Sequence, residues 1–247
     1  MAEGAATRPS TIARLLEEIS WERATAYRQG GRGRENVLSA EVLMALDYLP
    51  RQHFLGAVLS AAHGADASRQ LFVSEVERAE MDFLPGDMAL SSEDWGGRPA
   101  FTQPDALVTC PSSFLLVEAK RIRSSSFQPK QLAQELLAAM MHAGGRKPLI
   151  LLLGVTPRVL VRGGGRMTIH EAVSSQLGTV LAESGNTRWG SAELIGMLDE
   201  VFCWISWDEV KDVVRRQTDS FTSSDPAATA SVRRLAASIN HSIAWHS

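Results

Sequence analysis

The chain has 247 residues, of which 45% are hydrophobic and 21% charged, a composition ordinary for a folded soluble protein. Its formal net charge is −3 and its pI about 6.1, so it is not a broadly basic nucleic-acid coat, and any contact with nucleic acid must come from local basic patches. Two cysteines are too few for a disulfide framework, and no apolar run reaches the roughly eighteen residues of a membrane span. We therefore expect a cytoplasmic protein that has buried free thiols and no membrane partner.

The N-terminal residues 1–34 are predicted to form a helix followed by a glycine- and arginine-rich link. The helix is indicated by apolar residues at 3.6-residue spacing, namely Ile12, Leu15, Leu16 and Ile19. The link contains Arg32 and Arg34, which are candidates for contacts with a phosphate backbone. Glycines between two helices more often form a simple hinge, and that alternative stays open.

Two further helices are predicted at about 36–49 and 52–62, before and after Pro50. Residues 71–78 alternate enough to predict the first strand of a central sheet, with Glu75 and Glu77 either near a metal or on a solvated face. Residues 79–103 form a long connection rich in glycine and proline, which predicts an ornamented hairpin or a functional loop. Its Trp95 and Arg98 are candidates for DNA contact, and a structural anchor is the alternative for Trp95.

The next stretch, residues 105–120, contains the only tight group of chemically useful side chains in the sequence. Two apolar runs, 105–110 and 113–120, are separated by a proline and serines, which predicts an antiparallel hairpin. Side chains alternate along a strand, so Glu118 and Lys120 share a face, and Asp105 begins the neighbouring strand. Carboxylates are the ligands that Mg²⁺ prefers, and a lysine beside them can orient water or stabilise charge on a phosphate.

At these residues the sequence resembles the PD-(D/E)XK nuclease superfamily, whose fold is restriction-endonuclease-like. The resemblance rests on Pro104-Asp105, on Glu118-Ala119-Lys120, and on a following helix with Gln131 and Leu132, where Glu135 replaces the tyrosine of the exonuclease-like branches. It covers roughly residues 35 to 155 by motif. The bare motif also arises by chance, in which case Glu118 and Lys120 form a solvated ion pair at a strand end.

The resemblance implies a role for each of these residues. Asp105 and Glu118 would hold Mg²⁺, for which Mn²⁺ could substitute. Lys120 would position the hydrolytic water, and Gln131 would steady water or phosphate. Many members add a glutamate from an earlier helix as a third ligand, and here Glu35 is the first candidate and Glu41 the competing one.

Arg121 and Arg123 follow the hairpin and are our first candidates for phosphate contacts, with solvent-exposed arginines as the alternative. A helix is predicted over residues 128–142, with Gln131 and Glu135 four apart on one face. The apolar run 147–155 predicts a central strand covered on both faces.

The remaining elements are predicted from strand patterns and helix caps. Strands are expected at 158–162 and 201–207. Helices are expected from Thr168, whose pairing with Glu171 indicates a capping box, from Ser191, from Asp208, and after Pro226.

The order of these elements predicts an α/β fold: a mixed central β-sheet flanked by helices, with a restriction-endonuclease-like core and an N-terminal helical addition. The expected parts are residues 1–34, a nuclease-like domain at 35–218, and a C-terminal helix at 219–247 packed on that domain. The expected function is metal-dependent hydrolysis of DNA in restriction, phage defence or repair, by the chain alone, as a homodimer or with a partner subunit. The alternatives are a catalytically silent member that binds nucleic acid or assembles a complex, a non-nuclease interaction protein, and an enzyme for another phosphorylated substrate.

Overall fold

A computed structural model of the chain describes residues 15–16, 32–91, 95–120, 127–161 and 164–246, with backbone only at 32–35 and 160. The helices are α1 (Arg32–Tyr48), α2 (Leu55–Ala61), α3 (Asp66–Glu75), α4 (Pro129–His142), α5 (Ile169–Ser184), α6 (Ser191–Gly196), α7 (Leu198–Val201), α8 (Trp207–Ser220) and α9 (Pro226–His246). The strands are β1 (Glu80–Phe83), β2 (Met88–Ala89), β3 (Phe101–Thr102), β4 (Ala106–Thr109), β5 (Ser113–Ala119), β6 (Lys147–Leu153), β7 (Val159–Val161), β8 (Gly165–Met167) and β9 (Phe202–Ile205).

A mixed five-stranded sheet lies at the centre of the fold, in the order β1-β4-β5-β6-β9. The pairs β1–β4 and β4–β5 are antiparallel, whereas β6 runs parallel to both β5 and β9. Two short ribbons, β2–β3 and β7–β8, lie outside this sheet. The α/β class and the mixed sheet flanked by helices are therefore as predicted.

Helices cover both faces of the sheet, and β5 contributes side chains to the two resulting cores. Leu115, Val117 and Ala119 belong to the core that also contains apolar residues of α1, α2, α8 and α9. Phe114 and Leu116, which alternate with them, belong to the core built from α4, α5 and α7. By the same alternation Glu118 projects toward α4, and this determines which helix can reach it.

Several predicted elements are confirmed with small shifts at their ends. The β4–β5 hairpin, helix α4 and the buried strand β6 lie where the patterns place them. Thr168 and Glu171 form the predicted capping box of α5. Ser191 is not the cap of its helix, because Gly190 holds that position.

The strand predicted at Leu71–Arg78 is wrong, since this segment completes α3 and a following 3-10 turn, Val76–Arg78. Phe72 and Val76, four residues apart, are both fully buried, whereas Leu71 is 37% exposed. That spacing matches the 3.6-residue period of a helix. A short segment rich in apolar and β-branched residues can fit this period and also the two-residue period of a strand. The sheet begins instead with β1.

Glu75 lies at the other end of the β4–β5 hairpin from Asp105. Its carboxylate accepts hydrogen bonds from the Ser112 backbone N–H at 3.0 Å and from the Ser113 hydroxyl at 3.3 Å. It therefore stabilises the β4–β5 turn rather than a metal at the opposite end.

Both cysteines are buried free thiols, as predicted. Burial raises the pKa of Cys110 to about 11 and that of Cys203 to about 12. Within the described ranges, no helix has the length and apolar character needed to span a membrane.

Candidate active site at the open end of the β4–β5 hairpin

Asp105 is held across the end of the β4–β5 hairpin by two hydrogen bonds. Its backbone N–H donates to the Val117 carbonyl at 3.0 Å, and its Oδ2 accepts from the Ala119 N–H at 2.7 Å. Ala106 pairs with Val117 in the sheet, so one step outward brings Asp105 level with Glu118. The turn thus brings together two carboxyl groups that are thirteen positions apart in the chain, as the sequence predicts.

The buried Glu118 and Lys120 and the half-buried Gln131 form a hydrogen-bonded group beside Asp105. The Lys120 Nζ makes an ion pair with Glu118 Oε1, and Gln131 Nε2 donates to the same oxygen at 2.5 Å. Glu118 is 3% exposed and Lys120 8%. The Lys120 Nζ also lies 5.2 Å from the centroid of the Phe127 ring, which is within range of a cation–π interaction. The prediction that Glu118 and Lys120 share one face is therefore confirmed.

Glu135 joins this group from the next turn of α4 and is fully buried. No donor group among the residues that the structure describes hydrogen-bonds to its carboxylate oxygens, and the Glu118 carboxyl lies against it. Burial raises its pKa well above the ordinary 4.5, the negative charge of Glu118 raises it further, and Lys120 opposes the shift. The protonated acid is therefore strongly favoured compared with an exposed glutamate.

The backbone N–H and the backbone carbonyl of Lys120 both form hydrogen bonds. Its N–H donates to the Leu153 carbonyl at 2.8 Å, and its carbonyl accepts from the indole Nε1 of Trp207 at 2.7 Å. Gly154 has a φ of +87°, and a Cβ at that position would lie 2.1 Å from the Trp207 Nε1. Only glycine therefore leaves room for the indole to reach Lys120.

Sequence reasoning did not include Glu135, Trp207 or Gly154 among the site residues. Glu135 carried a signal, since its spacing of four from Gln131 places both on one face of α4. Trp207 was expected to end a strand but opens α8, capped by Ser206. A single glycine after a buried strand gives no signal of which side chain passes over it.

Of the other predicted site residues, Glu41 has a described side chain, and it is not brought together with this group. Glu41, the competing helix carboxylate, is half exposed and lies 3.7 Å from His246 on α9. The side chains of Glu35, Arg32 and Arg34 lie outside the described residues, as do Arg121 and Arg123 and most of the predicted N-terminal helix.

The described residues contain no cluster of three or more histidine, cysteine, aspartate or glutamate side chains arranged to hold a metal ion. Magnesium, however, usually takes only one or two carboxylates from a protein. Asp105 and Glu118 fit that requirement, and the buried carboxyl of Glu135 lies beside them. No protein-family model, curated protein or solved structure matches the chain.

Proposed function

We propose that the protein is a metal-dependent nuclease that hydrolyses phosphodiester bonds of DNA. The observation that carries the proposal is the meeting of Asp105, Glu118 and Lys120 at one end of a hairpin, with Gln131 and Glu135 of α4 beside them. A chance motif would leave Glu118 and Lys120 as a solvated ion pair, whereas both side chains are buried here. The mixed sheet flanked by helices supports the further proposal of a restriction-endonuclease-like core.

The protein side chains divide the chemistry among them. A Mg²⁺ or Mn²⁺ ion held by Asp105 and Glu118, with Glu35 as a proposed third ligand, would act as a Lewis acid on the phosphate. The Lys120 ammonium would orient the attacking water and stabilise the negative charge that grows on the phosphate oxygens. Gln131 fixes the Glu118 carboxylate by hydrogen bonding, and this reduces the reorganisation needed at the moment of reaction.

Phosphate contacts outside the site are assigned to Arg121 and Arg123 and to Arg32 and Arg34, because the net charge of −3 leaves local arginines as the source of attraction. The proposed setting is restriction, phage defence or repair. Cleavage of both DNA strands requires two cuts. One chain that acts twice, a homodimer, or the chain with a partner subunit could make them.

The proposal is tested by incubating the wild-type protein and Asp105→Asn with linear, circular and single-stranded DNA. Each reaction contains Mg²⁺, Mn²⁺ or EDTA. Asp219→Asn, an exposed carboxylate near the end of α8, is the matched control. We expect cutting that needs the metal, persists in the control and is lost in Asp105→Asn. DNA binding with no cutting on any substrate would contradict the proposal and support the catalytically silent alternative.

A further inference from the structure

The connection between β1 and β4 contains Trp95, which is 37% exposed. Its indole packs directly against Gly185, since a Cβ on that glycine would lie 2.1 Å from the ring. A Cβ on Gly97 would likewise lie 2.4 Å from the indole Nε1. The indole therefore packs against two glycines, and the residue is still 37% exposed. An aromatic ring that is already packed on one side loses little conformational entropy when it binds a ligand.

Arg188 and Trp189 follow Gly185 by three and four positions in the loop that leaves α5. The Arg188 guanidinium lies 4.5 Å from the centroid of the Trp189 ring. Asn186 Oδ1 accepts hydrogen bonds from the backbone N–H groups of Arg188 and Trp189 at 2.9 Å and 3.1 Å. Arg188 is exposed, whereas Trp189 is half-buried against the α4–α5 core. A cation is thereby held on the same loop that contacts Trp95.

This surface lies at the same end of the α4–α5 pair as the candidate active site. Lys130 in the first turn of α4 forms an ion pair with Glu183 in the last turn of α5, at 2.6 Å. The next residue, Gln131, donates to Glu118, and Gly185 follows Glu183 by two positions. The Lys130–Glu183 ion pair and the Gln131–Glu118 hydrogen bond therefore place the Trp95 surface and the Glu118 group near the N-terminus of α4.

We propose that Trp95, Arg188 and Trp189 form a stacking surface for single-stranded DNA, and this assignment of the ligand rests on the proposed nuclease function. Every nucleobase has a face that stacks on an indole, so such a surface binds without sequence preference. Arg188 is the exposed cation described on this loop and suits phosphates, while the nearby Glu183 is paired with Lys130. The surface would bring an unpaired strand to Lys120.

The test measures fluorescence anisotropy of two labelled strands in EDTA and low salt, so that no cleavage occurs. One strand is a short oligothymidylate, and the other is an abasic strand with the same length and phosphate charge. The wild-type protein should bind the oligothymidylate more tightly than the abasic strand. Trp95→Ala should weaken oligothymidylate binding by about fivefold to a hundredfold and leave abasic binding unchanged.

Three further variants separate base stacking from other contributions to DNA binding. Trp95→Phe should retain most of the preference for bases, because a phenyl ring still stacks. Trp245→Ala removes an exposed tryptophan of α9 and should change nothing. Arg188→Gln should weaken binding of both strands by a similar factor, since both carry the same phosphates.

Equal wild-type affinity for the two strands, or equal effects of Trp95→Ala and Trp245→Ala, would overturn the stacking surface. The proposed nuclease has its own readout, metal-dependent cutting. Cutting without base-dependent binding would refute the surface alone, whereas base-dependent binding without cutting would refute the nuclease alone.

Discussion

The indole Nε1 of Trp207 donates a hydrogen bond to the backbone carbonyl of Lys120 at 2.7 Å. Trp207 is the first residue of α8 and is 3% exposed. The contact therefore joins the start of α8 to the last part of the β4–β5 hairpin, at the residue whose ammonium we assign to catalysis. It predicts that changes at Trp207 affect Lys120 without any contact between the indole and the substrate.

Trp207→Phe should destabilise the protein by about 1–3 kcal/mol, because the buried Lys120 carbonyl loses a donor. Urea unfolding monitored by circular dichroism measures this free energy. Trp245→Phe, at a residue that is 75% exposed, is the matched control and should stay within about 0.5 kcal/mol of wild type. Equal unfolding free energies for the two variants would show that the hydrogen bond contributes nothing.

Gly154→Ala tests whether the close approach of Trp207 requires glycine. Gly145, with a φ of +84° and no atom within 4 Å of an added Cβ, is a control with nearly the same backbone strain. Gly145→Ala should cost about 1–2 kcal/mol from its left-handed backbone conformation alone. Gly154→Ala should cost about 1–3 kcal/mol more, because the new methyl group meets Trp207 and the Lys120 carbonyl. Thermal and urea unfolding of both variants measure the difference, and equal losses would contradict it.

Glu135→Gln should remove a pH dependence of stability that its raised pKa creates. A carboxyl whose pKa is higher in the folded than in the unfolded chain stabilises the fold fully below pH 4.5, its ordinary pKa, and this contribution is lost as pH rises through the folded pKa. The free energy of unfolding of wild type minus that of Glu135→Gln, measured in EDTA, should therefore fall as pH increases above 4.5. A difference that is flat or rises with pH would contradict a buried, protonated Glu135.

Glu209 provides a control of opposite sign. Burial alone would raise its pKa, but hydrogen bonds from His63 and Ser206 lower it to about 2. Its contribution is present above the ordinary value of 4.5 and is lost as pH falls toward 2. The same comparison with Glu209→Gln should accordingly show a difference that increases with pH across this interval.

Local signals in the sequence were sufficient for the parts of the fold that position Asp105, Glu118 and Lys120. Alternation fixes the shared face of Glu118 and Lys120, and the proline and serines of the turn set the hairpin that brings Asp105 beside them. Helix α4 and its Gln131 follow from a proline at the first turn and an apolar stripe. These features depend on contacts between near neighbours in the chain, which is why the sequence indicates them.

The features that sequence reasoning missed depend on contacts between distant residues. Trp207 and Lys120 are 87 positions apart, and no local pattern pairs them. The apolar residues of segment 71–78 fit both the helix period and the strand period. Packing of Phe72 and Val76 in the core favours the helix α3. Tertiary packing thus overrides a weak local preference there.

Lys120 provides the most direct test of the central claim, that these residues cut a phosphodiester. The measurement is the single-turnover rate of DNA cleavage in Mg²⁺ for wild type and Lys120→Met, with DNA affinity measured in EDTA. Lys147→Met, at an exposed lysine paired with Glu200, is the control. We predict that Lys120→Met cleaves about a hundredfold to a thousandfold more slowly, as expected for loss of a charge that stabilises the transition state, and binds DNA with little change. A folded Lys120→Met protein that cleaves as fast as Lys147→Met would contradict the account.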